Sequence, residues 1–138
     1  MTLLQRVVVP VATEDDAAET CAALSPYLDE IEQVVAVHVI EKAGGGIDKA
    51  PLEKRQEDAE AILDVVEDAL GDDVPVERDT AYGTDVVETL LAEANGHDAT
   101  AIAFVAREGS RLVRLLSGDT SVRLVTEATL PVVALPNE

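Results

Sequence analysis

The chain has 138 residues, 47% of them hydrophobic and 2% aromatic, and a formal net charge of −18 from 28 acids and 10 bases. That length and apolar content suit one packed domain over residues 1–138 and argue against disorder, while the charge opposes approach to nucleic acid or an anionic membrane. No apolar run nears the roughly 20 residues that span a bilayer, so no membrane insertion is expected; with one cysteine, Cys21, and no secretory start, a reducing cytoplasm is the expected location.

In chain order, "RVVVPV" (6–11) is a short continuous apolar run of the kind that forms a buried strand. Thr13 followed by Asp16 resembles a capping box, and three acids, Glu14 to Asp16, suit the first turn of a helix. Ala17, Cys21, Leu24 and Leu28 then recur at helical spacing, which makes Cys21 a core residue. "QVVAVHVI" (33–40) is a second buried strand, and "EKAGGGIDKAP" (41–51) a loop. Apolar positions 59, 62, 63, 66 and 70 trace one face of a long helix from Leu52 to Leu70, closed by Gly71.

"VPVERDTAY" (74–82) alternates in part, which places a third strand near a sheet edge. Thr84 is the expected cap of a helix with Val87, Leu90, Leu91 and Ala94 on one face, ended by Asn95-Gly96. "ATAIAFVA" (99–106) is a fourth strand, "GDTSVRLVTEA" a last helix capped by Asp119 or Ser117, and "LPVVALP" (130–136) a fifth strand. Five strands alternating with four helices call for a Rossmann-like α/β fold, an open parallel sheet covered by helices on both faces. In such sheets ligands bind beyond the carboxyl ends of strands, where the strand order reverses.

Motifs for chemistry are sparse. Gly44-Gly45-Gly46 lacks the lysine and hydroxyl of a phosphate loop and reads as a plain loop. No carboxylate, cysteine or second histidine is read near His38 or His97 at ligand spacing, so no metal is expected. G-x-S-x-G and H-E-x-x-H are absent, no nucleophile is paired with a base, and Asp98 reads as a solvated strand-entry residue. Residues 107–123 stand apart. Arg107, Arg111, Arg114 and Arg123 oppose only Glu108 and Asp119, a local +2 that leaves −20 on the rest of a chain whose total is −18. Gly109 permits close backbone approach, and Gly118 leads into a helix N-terminus whose free N–H groups favour anions. The competing reading is that these arginines only pair with surrounding acids. Elsewhere the charge itself is informative: self-repulsion opposes compaction, but at molar salt the Debye length falls to about 3 Å and that cost largely goes. The composition therefore reads as that of a halophilic acidic protein, with a merely acidic mesophilic protein as the competing reading.

With "VVVPV", "VVAVHV", "YGTDVVETLLAEA" and "RLVRLLSGDTSVRLVTEATLPVVALP" the chain resembles the universal stress proteins over its whole length. The resemblance implies strand order 3-2-1-4-5, a dimer through the last strand (Val132, Val133, Ala134, Leu135), and for many members an ATP site. That site uses Gly-x2-Gly-x9-Gly-Ser/Thr after the fourth strand and an aspartate after Pro-Val on the first. Here Ala106 replaces the first glycine, Gly109 matches the second, and eight residues separate it from Gly118. Asp119 stands where the hydroxyl belongs, although Thr120 and Ser121 follow, and Ala12 stands in place of the aspartate. Carried over residue by residue, the nucleotide contacts are Val11, Ala12, Val39, Arg107, Gly109, Ser110, Gly118, Asp119 and Thr120. A carboxylate near phosphate costs about 1 kcal/mol in water-like surroundings and about 4 kcal/mol near a protein surface. Glu14, Asp15 and Asp16 are expected to add to that repulsion. The first reading is therefore a dimeric stress-response interaction module with a weak or lost ATP site. The alternatives are an ATP- or AMP-binding sensor, using Arg107, Arg111 or Arg114 on phosphates, and slow ATP hydrolysis, for which no water-positioning group can be named.

Overall fold

A computed structural model describes residues 3–41, 49–105 and 118–136, with side chains described from Glu53 in the second span and from Val122 in the third. Five strands, β1 (Arg6–Pro10), β2 (Gln33–Glu41), β3 (Val76–Gly83), β4 (Ala101–Val105) and β5 (Val132–Leu135), form one sheet in the order β3-β2-β1-β4-β5. Every pairing is parallel. The helices between them are α1 (Glu14–Leu24), followed by a 3-10 turn at Ser25–Glu30, then α2 (Lys49–Leu70), α3 (Val86–Gly96) and α4 (Gly118–Glu127). The expected 3-2-1-4-5 order and the edge position of the third strand hold.

The continuous apolar strands are buried on both faces, and alternate residues serve two separate cores. Val7, Val9, Val34 and Ala36 pack under α1 and α2 with Leu24, Leu63 and Val66. Val8, Val35, Val37, Ile102 and Phe104 pack on the other face with Leu90 of α3 and Leu124 of α4. The α2 face read from spacing is buried at Ala59, Ile62, Leu63, Val66 and Leu70. Cys21 is buried in the first core, and burial, helped by the nearby Asp16, pushes its thiol up to about 11. Among the described residues no helix is long and apolar enough to cross a membrane.

Two helix ends differ from expectation. Asp85, not Thr84, caps α3: its carboxylate accepts the Glu88 N–H at 3.0 Å. Arg123 of α4 also reaches Asp85 at 3.1 Å, so the cap ties the two helices of that face together. That backbone hydrogen bond, followed by the arginine, holds the Asp85 carboxyl below its ordinary range. At the other end, α3 runs through Gly96, and the left-handed residue that turns the chain is Asp98, with φ of 55°. Aspartate tolerates this region because its short side chain can bond locally. Asp98 is thus the exposed hinge of the turn into β4. The next residues fix the sheet entry: buried Thr100 accepts the Arg6 N–H through Oγ1 at 3.0 Å and donates to the Leu3 carbonyl at 2.8 Å. For α4, the helix begins at Gly118, so Asp119 stands inside it and not at its cap; Ser117 lies outside the described residues.

Candidate functional site

β1 and β4 are the neighbours at which strand order reverses, and their register pairs only Val7 with Ala101 and Val8 with Ile102. Past Val8, β1 keeps to β2, where the Val11 N–H bonds the Val37 carbonyl at 3.0 Å. β4 keeps to β5 as far as the Val105–Leu135 pair. The two strands thus part company at their carboxyl ends, which is the placement that parallel sheets use for ligands.

A cavity of about 410 Å³ opens at this end of the sheet, lined by Ala12, Thr13 and Glu14 after β1, His38 to Glu41 at the end of β2, and Arg55, Asp58 and Ile62 of α2. Its size is within the range of small-molecule sites. His38 Nδ1 lies 2.8 Å from the Val11 carbonyl. A carbonyl can only accept, so Nδ1–H donates and, in the neutral ring, Nε2 is left as an acceptor. Arg55 donates to the Glu41 carbonyl, which holds its guanidinium at the rim. Three carboxylates, Glu14, Glu41 and Asp58, share the lining with this arginine; Asp58 is also paired with Lys54 at 3.3 Å.

The acids opening α1 are not equivalent, which corrects the expectation that all three crowd the mouth. Thr13 caps the helix through the Asp16 N–H at 3.0 Å. Asp16 itself is fully buried and turns back, accepting the Ala12 N–H at 2.8 Å and the Thr20 hydroxyl at 3.4 Å. It completes the reciprocal cap one residue before Thr13, so its charge serves the fold. Of the three, only Glu14 lines the cavity; Asp15 is exposed outside it.

Of the residues singled out from sequence, Ala12 and Val39 meet at the cavity. Val11 is fully buried in the core beneath α1 and does not line it, because alternation turns its side chain inward. Gly118, Asp119 and Thr120 occupy the first turn of α4, while Arg107, Gly109 and Ser110, together with Arg111, Arg114 and Gly44–Gly46, lie outside the described residues. Arg55, His38 and Asp58 were not anticipated. Arg55 could have been found from its spacing, since it stands four and seven residues before the buried Ala59 and Ile62 and so shares their helical face.

A second cluster gives His97 carboxylate neighbours that its sequence surroundings did not show. His97 Nδ1 lies 3.2 Å from Glu77 and Nε2 3.1 Å from Asp79. One donor atom from each of Asp79, Glu93 and His97 falls within 4.8 Å of the others. A hydrogen bond to Asp79, then burial and the Asp79 charge, push the Glu93 carboxyl up to about 7. Glu93 precedes His97 by four residues, one turn of α3, a spacing that was legible; Glu77 and Asp79 come from a distant strand and were not.

The sequence matches the universal stress protein family over residues 4–136. The chain belongs to that family. Solved universal stress proteins share its fold at low identity. One from Burkholderia pseudomallei is 19% identical with a TM-score of 0.73, the match covering 99% of this chain and 98% of that one. One from Archaeoglobus fulgidus in complex with dAMP is 19% identical with a TM-score of 0.63, covering 98% and 100%. A universal stress protein in complex with cAMP is 15% identical with a TM-score of 0.66, covering 99% and 100%. A comparison with curated proteins gives no match.

Proposed function

We propose that this universal stress protein acts as a homodimeric interaction module in a cytoplasmic stress response, around an adenine-nucleotide site that holds ATP weakly or not at all. The observation that carries the reading is the charge of the cavity lining: among the described residues, three carboxylates, one of them (Asp58) paired with Lys54, face one arginine, with alanine at the position where the family resemblance calls for an aspartate. An exposed carboxylate a few ångströms from a phosphate costs about 1 kcal/mol, so two or three of them weaken a triphosphate by about thirtyfold to a hundredfold or more. Ala12 and Val39 still offer an apolar wall to a base, and structural neighbours in complexes with dAMP and cAMP favour a monophosphate as the residual ligand. In that second reading, a sensor for AMP, Arg55 is the described cation best placed for the single phosphate.

Calorimetry with AMP and with ATP plus Mg²⁺, in molar KCl to screen the net charge, tests both. The proposal expects ATP no tighter than about 1 mM, and AMP at least as tight as ATP. Micromolar ATP would end the altered-site reading; no heat from either nucleotide at several millimolar would end the sensor reading.

The dimer rests on β5 being a sheet edge, Val132 to Leu135, with Ala134 exposed. The Ile102 N–H bonds the Pro131 carbonyl, so by alternation Val133 bonds inward to β4 and Ala134 turns its N–H outward. Ala134→Pro therefore spares the sheet and blocks only pairing across the edge. Sedimentation should show monomers; a variant that stays dimeric refutes this interface.

A further inference from the structure

We propose that Asp79, Glu93 and His97 form a binding site for a divalent transition-metal ion of the zinc type, between β3 and α3 and on the opposite side of the sheet from α2. Two structural periods bring the donors together. Glu77 and Asp79, two apart on a strand, point to the same face, and Glu93 and His97, four apart, lie one above the other at the end of α3. The His97 N–H bonds the Glu93 carbonyl at 3.0 Å, so the helical spacing holds to its last residue.

The distances suit a small cation. Bonds of about 2.0–2.1 Å in a tetrahedral site put neighbouring donors roughly 3.3 Å apart, and His97 Nε2 lies 3.1 Å from Asp79. All three donors fall within 4.8 Å, so Glu93, the longest and most adjustable of the three, has only to swing inward. The imidazole is already oriented. Its Nδ1 lies 3.2 Å from the Glu77 carboxylate, a carboxylate on one ring nitrogen while the other faces the candidate site, as in carboxylate–histidine–metal arrangements. Nε2 and the Asp79 carboxylate face each other across 3.1 Å, and the proposed cation lies between them.

The site is sheltered, with the His97 and Asp79 side chains 22% and 18% exposed. Arg6 donates through its guanidinium to the His97 backbone carbonyl at 2.9 Å. One nitrogen and two oxygens with a further position open match zinc and its neighbours, whereas calcium and magnesium favour oxygen-only shells of six or more.

The test titrates ZnCl₂ into the full-length chain at pH 8 after chelator stripping, with 10 mM MgCl₂ throughout to saturate loose binding to the acidic surface. Expected are one ion per chain, a loss of at least tenfold in affinity for His97→Gln and for Glu93→Gln, and a smaller loss for Glu77→Gln. The exposed control Glu53→Gln should bind as the parent does. Co²⁺ should give the absorption of a four- or five-coordinate site, a readout on the parent that stands even where a variant fails to fold. Several weak ions per chain displaced by magnesium, an octahedral Co²⁺ spectrum, or unchanged binding by a folded His97→Gln would each overturn the proposal. None of these results depends on the nucleotide cavity.

Discussion

Removing the Asp16 carboxylate is the sharpest test of how the end of β1 is held. In Asp16→Ala the Ala12 N–H loses an acceptor at 2.8 Å and the Thr20 hydroxyl one at 3.4 Å, both at a fully buried side chain. A hydrogen bond to a charged group is worth about 1.5–3 kcal/mol, and the longer Thr20 contact adds less than about 1 kcal/mol. The expected loss is about 2–4 kcal/mol, or roughly 8–15 °C in Tm for a domain of this size. Because the group is buried, salt should not erase the difference: urea midpoints in 0.2 M and 2 M KCl should show the same gap between parent and variant. Asp16→Asn keeps one acceptor and should recover part of the loss, while Asp15→Asn, at an exposed neighbour, should change stability by less than about 0.5 kcal/mol. A loss below about 0.5 kcal/mol for Asp16→Ala, or one that vanishes in high salt, would show that Asp16 behaves as a surface acid and return it to the mouth of the cavity.

Two further outcomes follow from the packing and the charges. Gly83 closes β3 against α3: a Cβ there would lie 2.0 Å from Thr89 Oγ1, which is itself held by the Asp85 carbonyl at 2.7 Å. Gly83→Ala should cost about 1–3 kcal/mol in urea denaturation and Thr89→Ala in the same chain should restore much of it; additive losses would refute the clash. The Glu93 carboxyl, raised from 4.5 to about 7 in the folded chain, faces Asp79 and His97, with Glu77 on the far side of the imidazole. The folded state therefore holds a proton that the unfolded chain gives up, so its contribution is full below about pH 4.5 and is lost as pH rises through 7. In chelator the urea midpoint of the parent should fall over that window more steeply than that of Glu93→Gln, and parallel curves would refute the coupling.

The fold was legible because its signals are periodic. Strands buried on both faces must read as unbroken apolar runs, and "VVVPV" and "AIAFV" do; the face of α2 repeats at 59, 62, 63, 66 and 70 because a helix has only one side to bury. Caps were less legible, since Thr84 and Asp85 are both good N-cap residues and the second partner of Asp85, Arg123, comes from another helix. Site chemistry was harder for the same reason. Spacing says which side chains share an element, but the sign of a charge's effect depends on where it points. Glu14, Asp15 and Asp16 are interchangeable as letters, yet one lines a cavity, one meets solvent and one is a buried acceptor. The partners of His97 show the reverse: Glu93 was within reach of helical spacing, but only the register that sets Asp79 beside Val37 brings β3 against the end of α3. In a chain this acidic, counting carboxylates near a site overstates repulsion unless each is first asked what it already bonds. Arg78 makes the point on the surface, since Glu60, Asp64 and Glu67 of α2 surround its guanidinium at 2.7 to 3.2 Å and are spent on holding the edge strand. In the proposed reading, ligand choice is shaped by the acids facing the cavity, not by the net charge of −18 as a whole.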